Sequence, residues 1–355
     1  MSLESFGWSQ LWQNKFSEYE ADGLVPARIS HEHRDLYGIF CERGERQAEI
    51  SGRFRFSARR RSDFPAVGDW VVIESIDDIS RCCIHAVLMR QTEIMRKGAG
   101  TGADEQVVAA NADTACLVSG LDEDFNLRRI ERYLTLAYQS GATPVIVLNK
   151  SDICPDLAPV IETVTSIAPG CEIFPVSARS GVGMDALRSR LAPGTTGVLL
   201  GSSGVGKSSI INALLGSDAL KTAPVREDDG KGRHTTVHRQ LLQLPRGGLL
   251  IDTPGLREIQ LIADPQALSQ SFATLSEIAT DCRFRDCTHV NEPGCAVIEA
   301  VNDGRLDPAN YESYLKQRKE IRHHQIEQDV HLKNAEKKRW ISIMKSVKNN
   351  KGKRG

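Results

Sequence analysis

The chain has 355 residues, 40% of them hydrophobic and 26% charged, with a net charge of -1. That is the composition of an ordinary globular chain with room for two or three domains, not of a disordered or fibrous one. The near-zero net charge excludes binding to nucleic acid through bulk charge alone, and no apolar run reaches the ~18 residues of a membrane span.

The N-terminal stretch MSLESFGWSQLWQNKF carries an early acidic residue and no apolar segment, so it is not expected to be a secretory signal. Residues 20–105 read as short strands (VPARIS, LYGIFCE, QAEISGRF, DWVVIES, CIHAVLM) between polar turns, the spacing of a small barrel or sandwich. Residues 108–262 alternate strand and helix. TACLVSG, PVIVLN, EIFPVSA, TGVLLG, RQLLQL and GLLIDT are apolar strands, with NLRRIERYLTLAYQS and GKSSIINALLG as helices between them, which predicts a βαβ sheet covered by helices. After residue 263 no strand pattern remains, and a helix is expected to open at Asp307-Pro308, with Asp as cap and Pro in the first turn. The last 25 residues carry nine Lys and Arg against one Glu, a basic tail.

The strongest local signal is Gly201-Ser202-Ser203-Gly204-Val205-Gly206-Lys207-Ser208, which fits G-x-x-x-x-G-K-[ST] between an apolar strand and an apolar-periodic helix. Glycines let backbone N–H groups converge on phosphates, and a helix N-terminus adds a favourable dipole. Lys207 then places a charge at the β- and γ-phosphates, and Ser208 offers a hydroxyl to Mg²⁺. Asn149-Lys150-Ser151-Asp152 ends another strand and reads as N-K-x-D. The Asp152 carboxylate can accept from the N1–H and the exocyclic amine of guanine, donors that adenine lacks there, so ATP would leave it unpaired. Asn149 is expected to tie the base loop to the phosphate loop, and Lys150 to lay its aliphatic stem along the base. Ser177-Ala178, after a further strand, fits a companion loop whose backbone N–H faces the guanine oxygen.

Asp252-Thr253-Pro254-Gly255 matches D-x-x-G, with Asp252 directed at Mg²⁺ and the Gly255 amide at the γ-phosphate. Between it and the phosphate loop lies a polar, glycine-bearing stretch, KTAPVREDDGKGRHTTVHR, where a switch loop belongs. Thr236, or else Thr235, would give the switch hydroxyl to Mg²⁺. Leu256 follows the motif in place of a water-positioning Gln, so slow intrinsic hydrolysis is expected. His234 is a candidate to orient that water, and it reads equally well as an exposed loop histidine. The base-recognition motifs precede the phosphate loop, so the order is circularly permuted, and the second switch leads straight into the C-terminal module.

Cys282, Cys287, His289 and Cys295, spaced C-x4-C-x-H-x5-C, make a closed Zn²⁺ ligand set with no open position for catalysis. The other six cysteines (Cys41, Cys82, Cys83, Cys116, Cys154, Cys171) lack such spacing and read as reduced thiols of a cytoplasmic protein. In the barrel region Arg53, Arg55, Arg59, Arg60 and Arg61 interleave with Phe54 and Phe56. On a strand that pattern suits RNA phosphate contact and base stacking, and it also reads as a solvated basic edge.

The chain resembles the circularly permuted ribosome small-subunit biogenesis GTPases, the RsgA or YjeQ family. The resemblance is carried by AVGDW, RKGAGT, NKSD, GSSGVGKSS, GRHTT, DTPG and the Cys/His cluster, and spans nearly the whole chain. It implies an OB-fold RNA-binding domain with its N-terminal extension (1–105), a permuted GTPase domain (106–262), a zinc-binding helical domain (263–330) and a basic tail (331–355). It implies GTP contacts from Gly201 through Ser209 and from Asn149 through Asp152, zinc on Cys282, Cys287, His289 and Cys295, and a water-positioning role for His234. Hydrolysis of GTP to GDP in late maturation of the 30S subunit, through contact with 16S rRNA by a monomeric protein and with stimulation by that subunit, is the activity it implies. The alternatives are an RNA-binding module with structural GTP, disfavoured by an intact Lys207, Ser208 and Asp252, and a GTPase switch with a protein client.

Overall fold

The structure is a computed structural model that describes residues 2–33, 36–74, 81–97, 105–217, 239–253 and 262–328. A first helix, α1 (Gln10–Glu20), buries Trp12 and Phe16, and Trp8 and Trp12 pack on Trp70 at ring distances of 4.7 and 6.1 Å. The N-terminal extension is thereby part of the barrel's core. Strands β1 (Val25–His33), β2 (Leu36–Cys41) and β3 (Gly44–Ile50) are followed by helix α2 (Gly52–Ser57), then β4 (Trp70–Ile73) and β5 (Cys82–Val87). They pair in the order β1-β2-β3-β5-β4, and β4 closes back onto β1. All pairs are antiparallel except β3–β5, so this is a closed five-stranded barrel with a helix between its third and fourth strands, the OB-fold.

A two-stranded hairpin, β6 (Glu93–Lys97) with β7 (Glu105–Ala110), leads out of the barrel. Then come β8 (Thr114–Gly120), α3 (Leu127–Ser140), β9 (Thr143–Asn149), α4 (Ala158–Ile167), β10 (Glu172–Pro175), α5 (Met184–Arg190), β11 (Thr196–Leu200), α6 (Lys207–Leu215), β12 (Gln240–Gln243) and β13 (Leu249–Asp252). The sheet order is β10-β9-β8-β11-β13-β12, parallel except for β12. All seven residues of β8 are buried, as a central strand covered on both faces requires. Alternate residues divide the core: Cys116 and Val118 share one cluster with Leu187 of α5 and Ile210 of α6, while Ala115 and Leu117 share the other with Ile130 of α3 and Val164 of α4. The phosphate-loop strand β11 sits between β8 and β13, although it comes late in the chain. The permuted order therefore changes where the chain is cut and leaves the sheet intact.

Barrel and sheet are joined by the β1–β12 pairing at His31↔Gln240 and by Arg28, which is 2% exposed. Arg28 donates to the carbonyls of Phe6, Gly68 and Asn111 and to the Thr196 hydroxyl at 2.5–3.2 Å, with its guanidinium 5.4 Å from the Trp70 ring. One side chain thus satisfies carbonyls of the extension, the barrel and the entry to β8. Burial lowers its pKa to about 10, with Asp113 and Asp69 opposing.

Beyond residue 262 the described chain is helical: α7 (Pro265–Ser271), α8 (Ala273–Ala279), α9 (Ala296–Asn302) and α10 (Pro308–Gln328). The Ala309 amide donates to Asp307 Oδ1 at 3.1 Å, the cap expected at that helix start. These helices form their own core around Leu268, Phe272, Val297 and Ile321.

One expectation is corrected. Arg53 and Arg55 do not lie on a strand but on α2, where the Ser51 hydroxyl caps the Phe54 amide at 3.0 Å. Alternation of Arg and Phe imitates a period of two, and the cap together with Phe54–Phe64 edge packing at 6.3 Å decides for helix. Phe56 is left 93% exposed beside arginines 53, 55, 59, 60 and 61, all of them exposed.

Candidate functional site

β11 delivers the chain into the loop 201–206, and α6 begins at Lys207. Gly206 has φ +94°, and a Cβ there would lie 2.2 Å from Asn149 Nδ2; a Cβ on Gly201 would lie 2.6 Å from the Val118 carbonyl. Those two positions must be glycine for the loop to close against β8 and β9. Ser203 and Gly204 are exposed at the loop tip, Val205 is buried, and Ser208 and Ser209 are half-buried on the first turn of α6. The amides of a first helical turn have no intrahelical partner and face outward toward an anion.

Asn149, at the end of β9, joins the two loops. Its Nδ2 donates to the Val205 carbonyl at 2.8 Å, and its Oδ1 accepts from the Ala178 amide at 3.1 Å. Lys150 adopts a left-handed backbone (φ 65°) and turns the chain so that the exposed Asp152 faces the Ser177 loop. A hydrogen bond from the Ser177 hydroxyl, above all, holds the Asp152 carboxyl below its ordinary pKa, as a hydrogen-bond acceptor. The Ser151 amide bonds the Val176 carbonyl at 3.1 Å, fixing the two loops side by side. The Lys150 ammonium is paired with the Asp122 carboxylate.

Lys207 Nζ donates to the carbonyls of Gly201 and Ser202 at 2.6 and 2.7 Å, across the mouth of its own loop. Burial lowers its pKa to about 8, with the Asp252 charge opposing; burial raises Asp252 to about 6, with Lys207 opposing. Asp252 ends β13 next to β11, and Thr253 Oγ1 anchors that end by donating to the Leu199 carbonyl at 2.7 Å. A polyphosphate with a cation would complement this opposed pair. His234, Thr236 and Gly255 lie outside the described residues.

The site also contains a lip that the motifs do not include. Arg129, on the first turn of α3, donates to Ser202 Oγ at 2.9 Å and pairs with Asp124 at 2.5 Å; Ser202 Oγ donates to Asp124 at 3.0 Å. The rest of α3 is bonded to the C-terminal helices. Thr135 Oγ1 bonds Gln317 Oε1 at 2.8 Å and Ser271 Oγ at 2.6 Å, Arg132 pairs with Glu320 at 2.7 Å, and Arg128 pairs with Asp307 at 2.9 Å. One helix therefore touches both the phosphate loop and the C-terminal module. The only sequence signal for it is a basic first turn on an otherwise amphipathic helix.

Cys282, Cys287, His289 and Cys295 converge, with their ligand atoms all within 4.8 Å of one another. His289 Nδ1 is 3.5 Å from both Cys282 Sγ and Cys295 Sγ, and those sulfurs are 3.9 Å apart. Two thiolates at ~2.3 Å from a tetrahedral metal stand ~3.8 Å apart, so the cluster fits a closed metal site. Burial, helped by Arg318, lowers the His289 pKa and favours the neutral imidazole that a metal takes. Glu292 braces the loop, its carboxylate accepting from the amides of Thr288, Val290 and Asn291 at 3.0–3.1 Å.

Residues 87–262 match the RsgA GTPase family model, and residues 196–338 match a model described as 50S ribosome-binding GTPase. The chain is 45% identical over 352 residues to the small ribosomal subunit biogenesis GTPase RsgA of Opitutus terrae, covering 97% of this chain and 96% of that protein. It is 42% identical to its namesake in Syntrophotalea carbinolica, over 98% and 97%. The crystal structure of YjeQ from Thermotoga maritima superposes with TM-score 0.63 at 28% identity, over 84% of this chain and 98% of that one. YloQ, described as a circularly permuted GTPase, shares the fold with TM-score 0.61 at 24% identity, over 84% and 96%.

Proposed function

The chain belongs to the RsgA family of GTPases, a relationship that spans nearly its whole length, and from that premise we propose that it acts on the maturing small ribosomal subunit. It is an enzyme that hydrolyses GTP to GDP and phosphate. In this reading it binds the 30S particle and its 16S rRNA as a cytoplasmic monomer, and turns GTP over slowly until it does so. The observation that supports it most is the joining of guanine loop and phosphate loop by Asn149 in a chain that also carries the Cys/His cluster. The relatives matched at nearly full length are named for the small subunit, and no described helix is long and apolar enough to cross a membrane.

The residues take these roles in the proposal. Asp152 selects guanine, assisted by the Ala178 amide, while Lys150, held by Asp122, flanks the base. Amides of 203–208 cradle the phosphates, and Lys207 exchanges its carbonyl contacts for phosphate oxygens. Ser208, Thr236 and Asp252 would hold Mg²⁺, which when bound neutralises charge on the β- and γ-phosphates. Gly255 reports the γ-phosphate and His234 positions the water. Cys282, Cys287, His289 and Cys295 would hold one structural Zn²⁺, which stabilises the C-terminal helices. Arg53, Arg55, Arg59, Arg60 and Arg61 contact rRNA phosphates, with Phe56 free to stack on an unpaired base. Barrel, GTPase sheet and zinc module act as three functional units, followed by a basic tail.

Co-sedimentation with purified 30S subunits tests the proposal. The form loaded with a non-hydrolysable GTP analogue is expected to bind better than the GDP form, because a ligand shifts only an equilibrium whose states it binds unequally. Equal binding of the two forms would remove the switch from the account.

A further inference from the structure

Beside the junction of barrel and GTPase sheet, a second charged site lies apart from the nucleotide. The His31↔Gln240 register places Arg239, just before β12, opposite Glu32 of β1. Glu32 lies 3.8 Å from Arg61 Nη2 and 4.0 Å from Arg239 Nη1. Arg96 of β6 approaches the same point. Its Nη2 donates to Gln106 Oε1 at 3.1 Å, while its Nε is buried with no hydrogen-bond partner among the described residues. Burial lowers the Arg239 pKa to about 10, and the nearby charges of Arg96 and Arg61 act in the same direction against Glu32. A cavity of about 150 Å³ adjoins this cluster, lined by Glu32, Tyr37, Arg55, Arg61, Phe64 and Gln106 among others; Arg96, bonded to Gln106, and Arg239, beside Glu32, stand behind its wall.

Two guanidiniums, Arg61 and Arg239, thus share the Glu32 carboxylate at distances too long for strong hydrogen bonds, and a third, Arg96, lies close enough to Arg239 to oppose its charge. Like charges gathered in a half-buried cleft, with a buried N–H unmet, are a costly arrangement unless an anion completes it. Guanidinium forks match phosphate oxygens in shape and charge.

We infer that this cleft, with Arg61 in its wall and Arg96 and Arg239 beside it, is a phosphate-binding site, and that its ligand is a backbone phosphodiester of the RNA that the barrel grips. The inference rests on the RNA-binding reading above and narrows it from an exposed arginine patch to a built site. The aromatic walls, Tyr37 and Phe64, leave room for the attached ribose. Arg239 also ends the polar stretch that the sequence marks as the switch, so a phosphate held there lies next to that stretch in the chain.

The test uses the full chain, a fluorescent single-stranded RNA and a salt series. Arg96→Gln and Arg239→Gln are each expected to lower RNA affinity roughly 5- to 10-fold and to reduce the salt slope by about one. Glu32→Gln is expected to raise RNA affinity, since it removes the competing carboxylate; loss of a merely structural ion pair would not do that. GDP affinity is the folding control and should stay unchanged in Arg96→Gln and Glu32→Gln. If both leave RNA affinity and salt slope as in the parent, the cluster is an internal ion-pair network and the inference is overturned while RNA binding stands. Inorganic phosphate is titrated in parallel. If it binds the parent but not Arg96→Gln, while RNA affinity is the same in both, the cleft holds free phosphate and the RNA assignment is overturned. If the parent itself binds no RNA, the underlying reading falls, and this inference with it.

Discussion

The Asn149 side-chain amide donates to the Val205 carbonyl at 2.8 Å, and this bond fixes the distance between the N-K-x-D loop and the G-x-x-x-x-G-K-S loop. Gly206 packs against the same amide so closely that a Cβ would approach it to 2.2 Å. Asn149→Ala should therefore lower GTP and GDP affinity alike, about 10- to 100-fold, because a buried donor and acceptor lose their partners together. Gly206→Ala should do the same by displacing Asn149. Calorimetric titration with both nucleotides checks this, and a loss confined to GTP would place Asn149 in γ-phosphate sensing instead.

Asp152 is held ionised by the Ser177 hydroxyl and accepts from guanine in the proposal. Asp152→Asn should lose GTP and gain xanthosine triphosphate, which offers a carbonyl where guanine offers an amine. Full GTP affinity in the substituted protein would put the base site elsewhere.

Lys207 carries a pKa lowered by burial to about 8. The ammonium must be protonated to attract phosphate, and its depressed pKa means that the charge is lost as pH rises through that value. GDP affinity without magnesium should fall between pH about 7 and 9, steepening toward tenfold per unit past the pKa. A flat profile over that range would mean that Lys207 contributes little charge to binding.

Cys287→Ala or a strong chelator should release one zinc per chain and loosen residues 263–328, since a closed structural site supplies folding energy to the module around it. Hydrogen exchange should rise in α7–α10 and stop at α3, whose Thr135 and Arg132 bond to that module but whose inner face packs on β8 and β9. GTP affinity should change by less than about threefold, because the ligands lie in a separate core. Metal analysis finding no zinc in fresh protein would contradict this.

The elements of this fold that the sequence made legible are those whose cause is local. The phosphate loop, N-K-x-D, D-x-x-G and the Cys/His spacing each need their residues within a turn or two, and a strand or helix boundary beside them. Arg53-Phe54-Arg55-Phe56 alternates like a strand, and the signal that decides for α2, Ser51 as a helix cap, is one hydroxyl. Arg28 was invisible as a joint, since its contacts include Thr196, 168 positions away. Arg129 and Ser202, 73 positions apart, and the cluster of Arg61, Arg96 and Arg239 were hidden for the same reason. Such contacts are made by the topology, and no local period or motif announces them.

Leu256 stands where a water-positioning Gln is absent, so hydrolysis is expected to depend on the small subunit. GTP turnover measured alone, with purified 30S subunits and with purified 50S subunits decides it. The expected result is a slow basal rate, a rise of at least about tenfold with 30S, no comparable rise with 50S, and loss of the rise in His234→Ala at nearly unchanged GTP affinity. Equal rates in all three conditions, or stimulation by 50S as strong as by 30S, would contradict it.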